Sequence, residues 1–321
     1  MIPFLLAAGA AGAIGGGLAA FSAAAARKAE AAVPPIGKFI EVNGDRIHYV
    51  DRGSGPPIIL IHGLGAVLQS FAPSLIEDLA RDFRVILIDR PGSGYSTRAP
   101  GASASLFAQA ETVVAFIRAL ELGKPLLVGH SLGGALSLAV ALEHPEAVGS
   151  LALVTPLTQV QEEPPPVFEG LAIRSPAARA IIARTIAIPL SAMKADETLR
   201  QVFHPEPVPA TFPTVGGGML AARPAAFYAS SSDMVAVEAD MPKLVARYGE
   251  LKLPVSILYA REDNLLDCRK HGECTAGEIE GARLEMVEGG HMLPFTQPEL
   301  TARFIRDAAG EGSVERERAA G

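Results

Sequence analysis

Residues Leu126–Gly134 read LLVGHSLGG, and this stretch decides the fold. Leu126–Val128 is a short, wholly apolar run, the pattern of a strand buried on both faces, and Leu132–Glu143 has the pattern of a buried helix. Gly129-His130-Ser131-Leu132-Gly133 joins them and is the only G-x-S-x-G in the chain. Between a strand and a helix this pattern makes a nucleophile elbow, a sharp turn that holds the serine in a strained backbone conformation with Oγ exposed. Glycines stand at 129 and 133 because a Cβ at either position would clash. The start of the following helix offers free N–H groups and a positive dipole end to a developing oxyanion.

Outward from the elbow, short β-branched runs alternate with longer amphipathic ones, which predicts a mostly parallel sheet flanked by helices. Strands are expected at Phe39–Val42 and Arg46–Asp51 around an Asn43–Gly44 hairpin turn, then at Ile58–Ile61, Val85–Ile88, Leu126–Val128, Leu151–Val154, Val255–Tyr259 and Arg283–Val287. Helices are expected over Ser74–Arg81, Ala108–Leu120 and Leu132–Glu143, from about Leu266, and from Pro298. Residues 155–236 interrupt the alternation: they are rich in proline, contain Gly216–Gly218 and carry apolar helical stretches such as Ala177–Leu190. They read as a helical cap inserted into a core of residues 38–154 and 237–307, with 308–321 as a flexible tail.

The chain has 321 residues, 49% hydrophobic and 20% charged, with a net charge of −7, two cysteines and no tryptophan. That length buries a core without disulfide or metal staples, and two cysteines exclude a disulfide scaffold. Cys268 and Cys274, on one expected helix, stand about 9 Å apart along its axis, too far to bridge. With 28 basic against 35 acidic residues and no basic block, nucleic acid is not the expected partner.

The mean hydropathy of +0.27 is high, and part of the excess lies at the N-terminus, where Ile2–Ala26 has no charge before Arg27 and Lys28. A helix of that length spans a bilayer, so residues 1–28 are expected to be a single-pass membrane anchor in contact with lipid, with Gly12 and Gly16 forming a small-residue face. A cleaved signal peptide with small residues at Ser22–Ala26, and hence an exported protein, is the alternative, and a disordered leader is the third reading. Residues 29–37, with the Pro34–Pro35 pair, read as a linker. The sidedness of the anchor and the oligomeric state are left open by the sequence.

A serine nucleophile needs a base, and the base needs an orienting carboxylate. His291, in Glu288-Gly-Gly-His-Met-Leu-Pro just after the last strand, is the candidate base, with His204 in the cap as a second possibility. Asp263, after the strand ending at Ala260, is the candidate acid, with Glu262 and Asp267 as its rivals. The oxyanion donors are expected to be the backbone N–H groups of Leu64, in Ile61-His-Gly-Leu-Gly65, and of Leu132. Substrate contacts are assigned to His130, Phe168, Phe203, Phe227 and Met292. Gly63-x-Gly65 does not start a dinucleotide site, because position 68 is Leu68 where a third small residue is required.

From about Lys38 to Ile305 the chain resembles the α/β-hydrolase-fold serine hydrolases. The resemblance rests on His62–Gly63, on Asp89-Arg-Pro-Gly-Ser-Gly-Tyr-Ser96, on Gly129-His-Ser-Leu-Gly-Gly134, on the Asp263 loop and on Gly290–His291, in that order. One departure is Ala260, where relatives usually have glycine ahead of the acid. The resemblance implies an eight-stranded, mostly parallel sheet, a Ser131–Asp263–His291 triad and no metal or organic cofactor. Relatives that open epoxides or remove halide use an aspartate at the elbow, and halide is held there by tryptophan, which this chain lacks. The C–C bond hydrolases carry a glycine-rich loop that Gly63–Val67 does not match. Hydrolysis of a small-molecule carboxylic ester is therefore the expected activity, with amide, peptide or lactone hydrolysis, or a non-catalytic membrane-tethered binding role, as alternatives.

Overall fold

The computed structural model describes residues 2–320, with side chains for residues 14–310 and 312. Among these residues β1 (Lys38–Val42), β2 (Asp45–Arg52), β3 (Pro57–Ile61), β4 (Arg84–Ile88), β5 (Leu126–His130), β6 (Ser150–Val154), β7 (Val255–Ala260) and β8 (Arg283–Val287) form one sheet. Its order is β1-β2-β4-β3-β5-β6-β7-β8. The β1–β2 hairpin and the β2–β4 pairing are antiparallel, and every pairing from β4 through β3 to β8 is parallel. The helices are α1 (Ile2–Ala32), α2 (Pro73–Leu79), α3 (Leu106–Ala119), α4 (Leu132–Glu143), α5 (Pro176–Arg184), α6 (Ala187–Phe203), α7 (Pro224–Val245), α8 (Thr275–Glu278), α9 (Leu293–Thr296) and α10 (Pro298–Ala320). This is the α/β-hydrolase architecture.

Side chains alternate across the central strands, so each strand feeds two cores. Ile59, Ile61, Ile86, Ile88, Leu127 and Leu153 pack with α3 and α4 on one face. Ile58, Leu60, Val85, Leu87, Val128 and Val154 pack with α2 and α10 on the other. Both faces being covered is why these strands read as unbroken apolar runs. The switch of strand order at β3 brings the C-terminal ends of β3, β5 and β7 together on one edge, and the loops leaving them build the site.

One sequence expectation is corrected, and two helices run further than expected. The single-pass membrane anchor is overturned: among the described residues no helix is long and apolar enough to cross a membrane. The described part of α1 is mostly alanine and glycine, weakly apolar residues, and it ends in Arg27, Lys28 and Glu30. That part docks on the cap, where Ser22 Oγ donates to the Thr185 carbonyl at 3.2 Å and Glu30 pairs with Arg223 at 3.3 Å. The side chains of Ile2, Phe4, Leu5 and Leu6, and Gly12 of the small-residue face, lie outside the described residues. Next, the stretch expected as a linker is helical to Ala32, because Ala29-Glu-Ala-Ala32 is a strong helix former and only Pro34 stops it. Val33 is then buried against Val67 and Leu220. Finally, α10 continues to Ala320 through the expected tail, whose Glu, Arg and Ala residues favour helix.

The helical stretch expected from Leu266 is a π-helical turn, Arg269–Cys274, followed by α8, and Cys268 and Cys274 are free thiols. In the cap, α7 runs unbroken across the expected boundary at residue 236.

Candidate active site

Ser131 sits between β5 and α4 with φ 54° and ψ −122°, a backbone conformation L-residues avoid. Its neighbours enforce it. A Cβ at Gly133 would overlap the Ile61 carbonyl, and one at Gly129 would run into the Gly133 carbonyl and Ser137. The Ser131 carbonyl accepts from Gly134 N and Leu157 N, both at 2.9 Å, so the Ser131–Leu132 peptide is clamped. Carbonyl and N–H point oppositely across a trans peptide, so the Leu132 N–H faces away from Leu157. Gly63, on the loop after β3, lies so close that a Cβ there would stand 2.8 Å from Ser131 Cβ.

His291 follows β8 on the loop freed by Gly289, at φ +121°. Its Nδ1 lies 2.7 Å from Asp263 Oδ2. The other oxygen, Asp263 Oδ1, accepts from Leu265 N at 2.9 Å and Leu266 N at 3.1 Å, so the carboxylate is held on both sides. The rivals are engaged elsewhere. Glu262 accepts from Gly289 N, and Asp267 caps the next turn through Arg269 N and Lys270 N. His204 presents its backbone carbonyl to Gly290.

Ser131, His291, Leu64 and Leu132 line one cavity. Its walls are mostly apolar: Leu157, Pro164, Phe168, Met234, Val237 and Leu265 line it, Gln161 adds a neutral polar side chain, and no Lys or Arg is among the lining residues. Of the residues assigned to substrate contact only Phe168 lines this cavity. Phe203 and Met292 pack instead in a separate aromatic cluster with Phe212, and Phe227 is half-buried on α7. His130 is not among the lining residues; its Nε2–H donates to the His291 carbonyl at 2.9 Å. Thr155 Oγ1 donates to the same carbonyl at 2.9 Å from a backbone at φ +40°. Sequence reasoning missed Met234 and Val237, although their three-residue spacing on one helix marks a shared face. Among the described residues no group of three His, Cys, Asp or Glu side chains is arranged to hold a metal ion.

Three histidines away from Ser131 Oγ are held neutral. Burial, then Arg90, pushes His62 down to about 4. Burial and the neighbouring His291 push His130 down to about 3, and burial with Lys270 pushes His271 down to about 4. Each folded value lies below the ordinary 6.5, so the unfolded chain binds the extra protons. Their contribution to stability is complete above pH 6.5 and is lost progressively toward pH 4. Thermal melts at pH 7.5, 6 and 5 are expected to show Tm falling with each step; a constant Tm contradicts this.

The family model for the alpha/beta hydrolase fold matches residues 56–298. The 2-hydroxymuconate semialdehyde hydrolase of Pseudomonas sp. strain CF600 is 37% identical over 123 residues, 38% of this chain and 44% of that enzyme. The matched stretch spans less than half the length of this and similar curated relatives. An esterase from Thermogutta terrifontis superposes with a TM-score of 0.69 at 21% identity, covering 86% of this chain and 99% of that one. A membrane phospholipase A described as a bacterial virulence factor superposes at 0.70 and 23% identity, covering 98% of this chain and 99% of that one. At such identities the two structures speak for the fold alone. With the family model spanning β3 to β8, the cap and the loops around Ser131, the chain belongs to the α/β-hydrolase-fold hydrolases.

Proposed function

We propose that the protein is a serine hydrolase that cleaves neutral carboxylic esters through an acyl-enzyme. The observation that supports this reading is the Asp263–His291 pair: it occupies Nδ1 of a histidine that lines the same cavity as Ser131. His291 takes the Oγ proton as Ser131 attacks the ester carbonyl, and the carbonyl electron pair moves onto oxygen. The Leu64 and Leu132 N–H groups receive that oxyanion. Collapse of the intermediate breaks the bond to the alkoxy oxygen, which leaves as the alcohol with the proton from His291. Water, deprotonated by the same histidine, then releases the acid.

The cavity walls support an uncharged, apolar acyl or alcohol group, because a carboxylate there would lose water without gaining a cation. This separates the reading from carbon–carbon bond hydrolysis, which the 37% match to a muconate semialdehyde hydrolase favours. Those relatives act on compounds whose names mark them as carboxylates. A panel of p-nitrophenyl esters from acetate to octanoate is expected to be turned over, with kcat/KM for a mono-p-nitrophenyl ester of a dicarboxylic acid at least about tenfold lower. Turnover of amides or lactones without ester turnover would overturn the ester reading.

A further inference from the structure

Arg90, just after β4, is fully buried and lies outside the cavity lining, yet it donates five hydrogen bonds. Its backbone N–H donates to His62 Nε2 at 3.0 Å, which leaves the His62 proton on Nδ1, donated to the Gly63 carbonyl at 2.8 Å. The guanidinium donates through Nε to the His62 carbonyl and through Nη2 to the Gly63 carbonyl, both at 3.1 Å. Nη1 reaches Gln109 at 3.1 Å and Asp233 Oδ2 at 2.7 Å. Asp233 belongs to α7 of the cap; its side chain is fully buried, and its other oxygen takes Arg98 Nη2 at 2.7 Å and Gln109 Nε2 at 3.4 Å.

A guanidinium fork that holds two successive carbonyls turns both peptides the same way. Each peptide is planar and trans, so the Leu64 N–H points opposite to the Gly63 carbonyl. Leu64 shares the cavity with Ser131 and Gly63 abuts Ser131, and that N–H lies on the side of its peptide away from Arg90. An apolar pair of the same volume would fill the space at less desolvation cost, but it would leave these carbonyls free to rotate.

We infer that Arg90, braced by the cap carboxylate of Asp233, is the positioning residue for the Leu64 N–H in the oxyanion hole, so that cap and transition-state site share one buried polar network. The inference rests on the serine-hydrolase reading, and its test separates the two. Fluorophosphonate labelling of the wild-type full chain establishes the nucleophile. Arg90→Lys and Asp233→Asn are then compared with wild type on p-nitrophenyl butyrate and on two inhibitors of one shape. With 1,1,1-trifluoro-2-heptanone, Ser131 Oγ adds to the carbonyl, the electron pair goes to oxygen and the proton to His291, giving a tetrahedral oxyanion adduct. The parent 2-heptanone binds as a ground-state ketone.

Arg90→Lys is expected to lower kcat by about 10²-fold, the scale of a lost oxyanion donor, with KM within about threefold. The trifluoroketone Ki is expected to rise in proportion while the ketone Ki stays constant, and Asp233→Asn is expected to show the same split at a smaller size. Equal weakening of both ketones, or unchanged kcat with only a lower Tm, overturns the inference while leaving the hydrolase reading intact. A wild type that takes no fluorophosphonate overturns both. Asp233→Asn keeps the side-chain shape, so the question stays decidable if Arg90→Lys does not fold.

Discussion

Ser131→Ala is expected to lower ester kcat by about 10⁶-fold and to abolish fluorophosphonate labelling, with the melting temperature close to that of wild type. The size follows from removing the atom that bonds to the acyl carbon; what remains is binding and the oxyanion donors. The fold should survive because the structural role of Ser131 is carried by its backbone: its N–H donates to the Val154 carbonyl at 3.2 Å and its carbonyl takes Gly134 and Leu157. The strained φ of 54° is kept by alanine and relieved by glycine, so Ser131→Gly should be equally inactive and melt higher. Equal labelling of wild type and Ser131→Ala would sink the nucleophile assignment.

Asp263→Asn is expected to cost about 10⁴-fold in kcat, against less than about tenfold for Glu262→Gln. The asparagine oxygen can still accept from Leu265 N and Leu266 N, so the loop after β7 stays in place. That anchoring turns the amide NH₂ toward His291 Nδ1, where a donor forces the ring proton onto Nε2. The nitrogen that must accept the Ser131 proton is then already occupied. Glu262 takes Gly289 N, an interaction a glutamine oxygen reproduces. Burst kinetics with p-nitrophenyl acetate separate slowed acylation from slowed deacylation in both variants. A large loss in Glu262→Gln with Asp263→Asn near wild type would move the acid role to Glu262.

Most of the sheet was legible because its strands are buried on both faces. Ile58–Ile61 and Val85–Ile88 are apolar without alternation, and each of the two is one residue longer in the structure. The elbow was legible because a strained strand-to-helix turn restricts which residues can stand at 129, 131 and 133. Cap contacts were not. Phe168, Phe203 and Met292 are equally apolar in sequence, yet only Phe168 faces the cavity, while the other two close an aromatic cluster with Phe212. Hydrophobicity says that a side chain will be buried, not against which neighbour. The anchor expectation weighed length and lack of charge at residues 2–26 above their weak apolarity, and the contact of Ser22 with Thr185 depends on a segment far along the chain.

By itself, the sequence determined the order of strands and helices, the elbow at Ser131 and the short list from which its base and acid could be drawn. These follow from local rules: side-chain periodicity, turn sterics and the residue types that can move a proton. Only the tertiary structure decided that Asp263, rather than Glu262 or Asp267, faces His291, that His130 bonds the His291 carbonyl, and that Arg90 meets Asp233 from 143 positions away. Those choices depend on which buried polar groups find each other once burial has removed water as a partner, and that is settled by the packing of the whole chain.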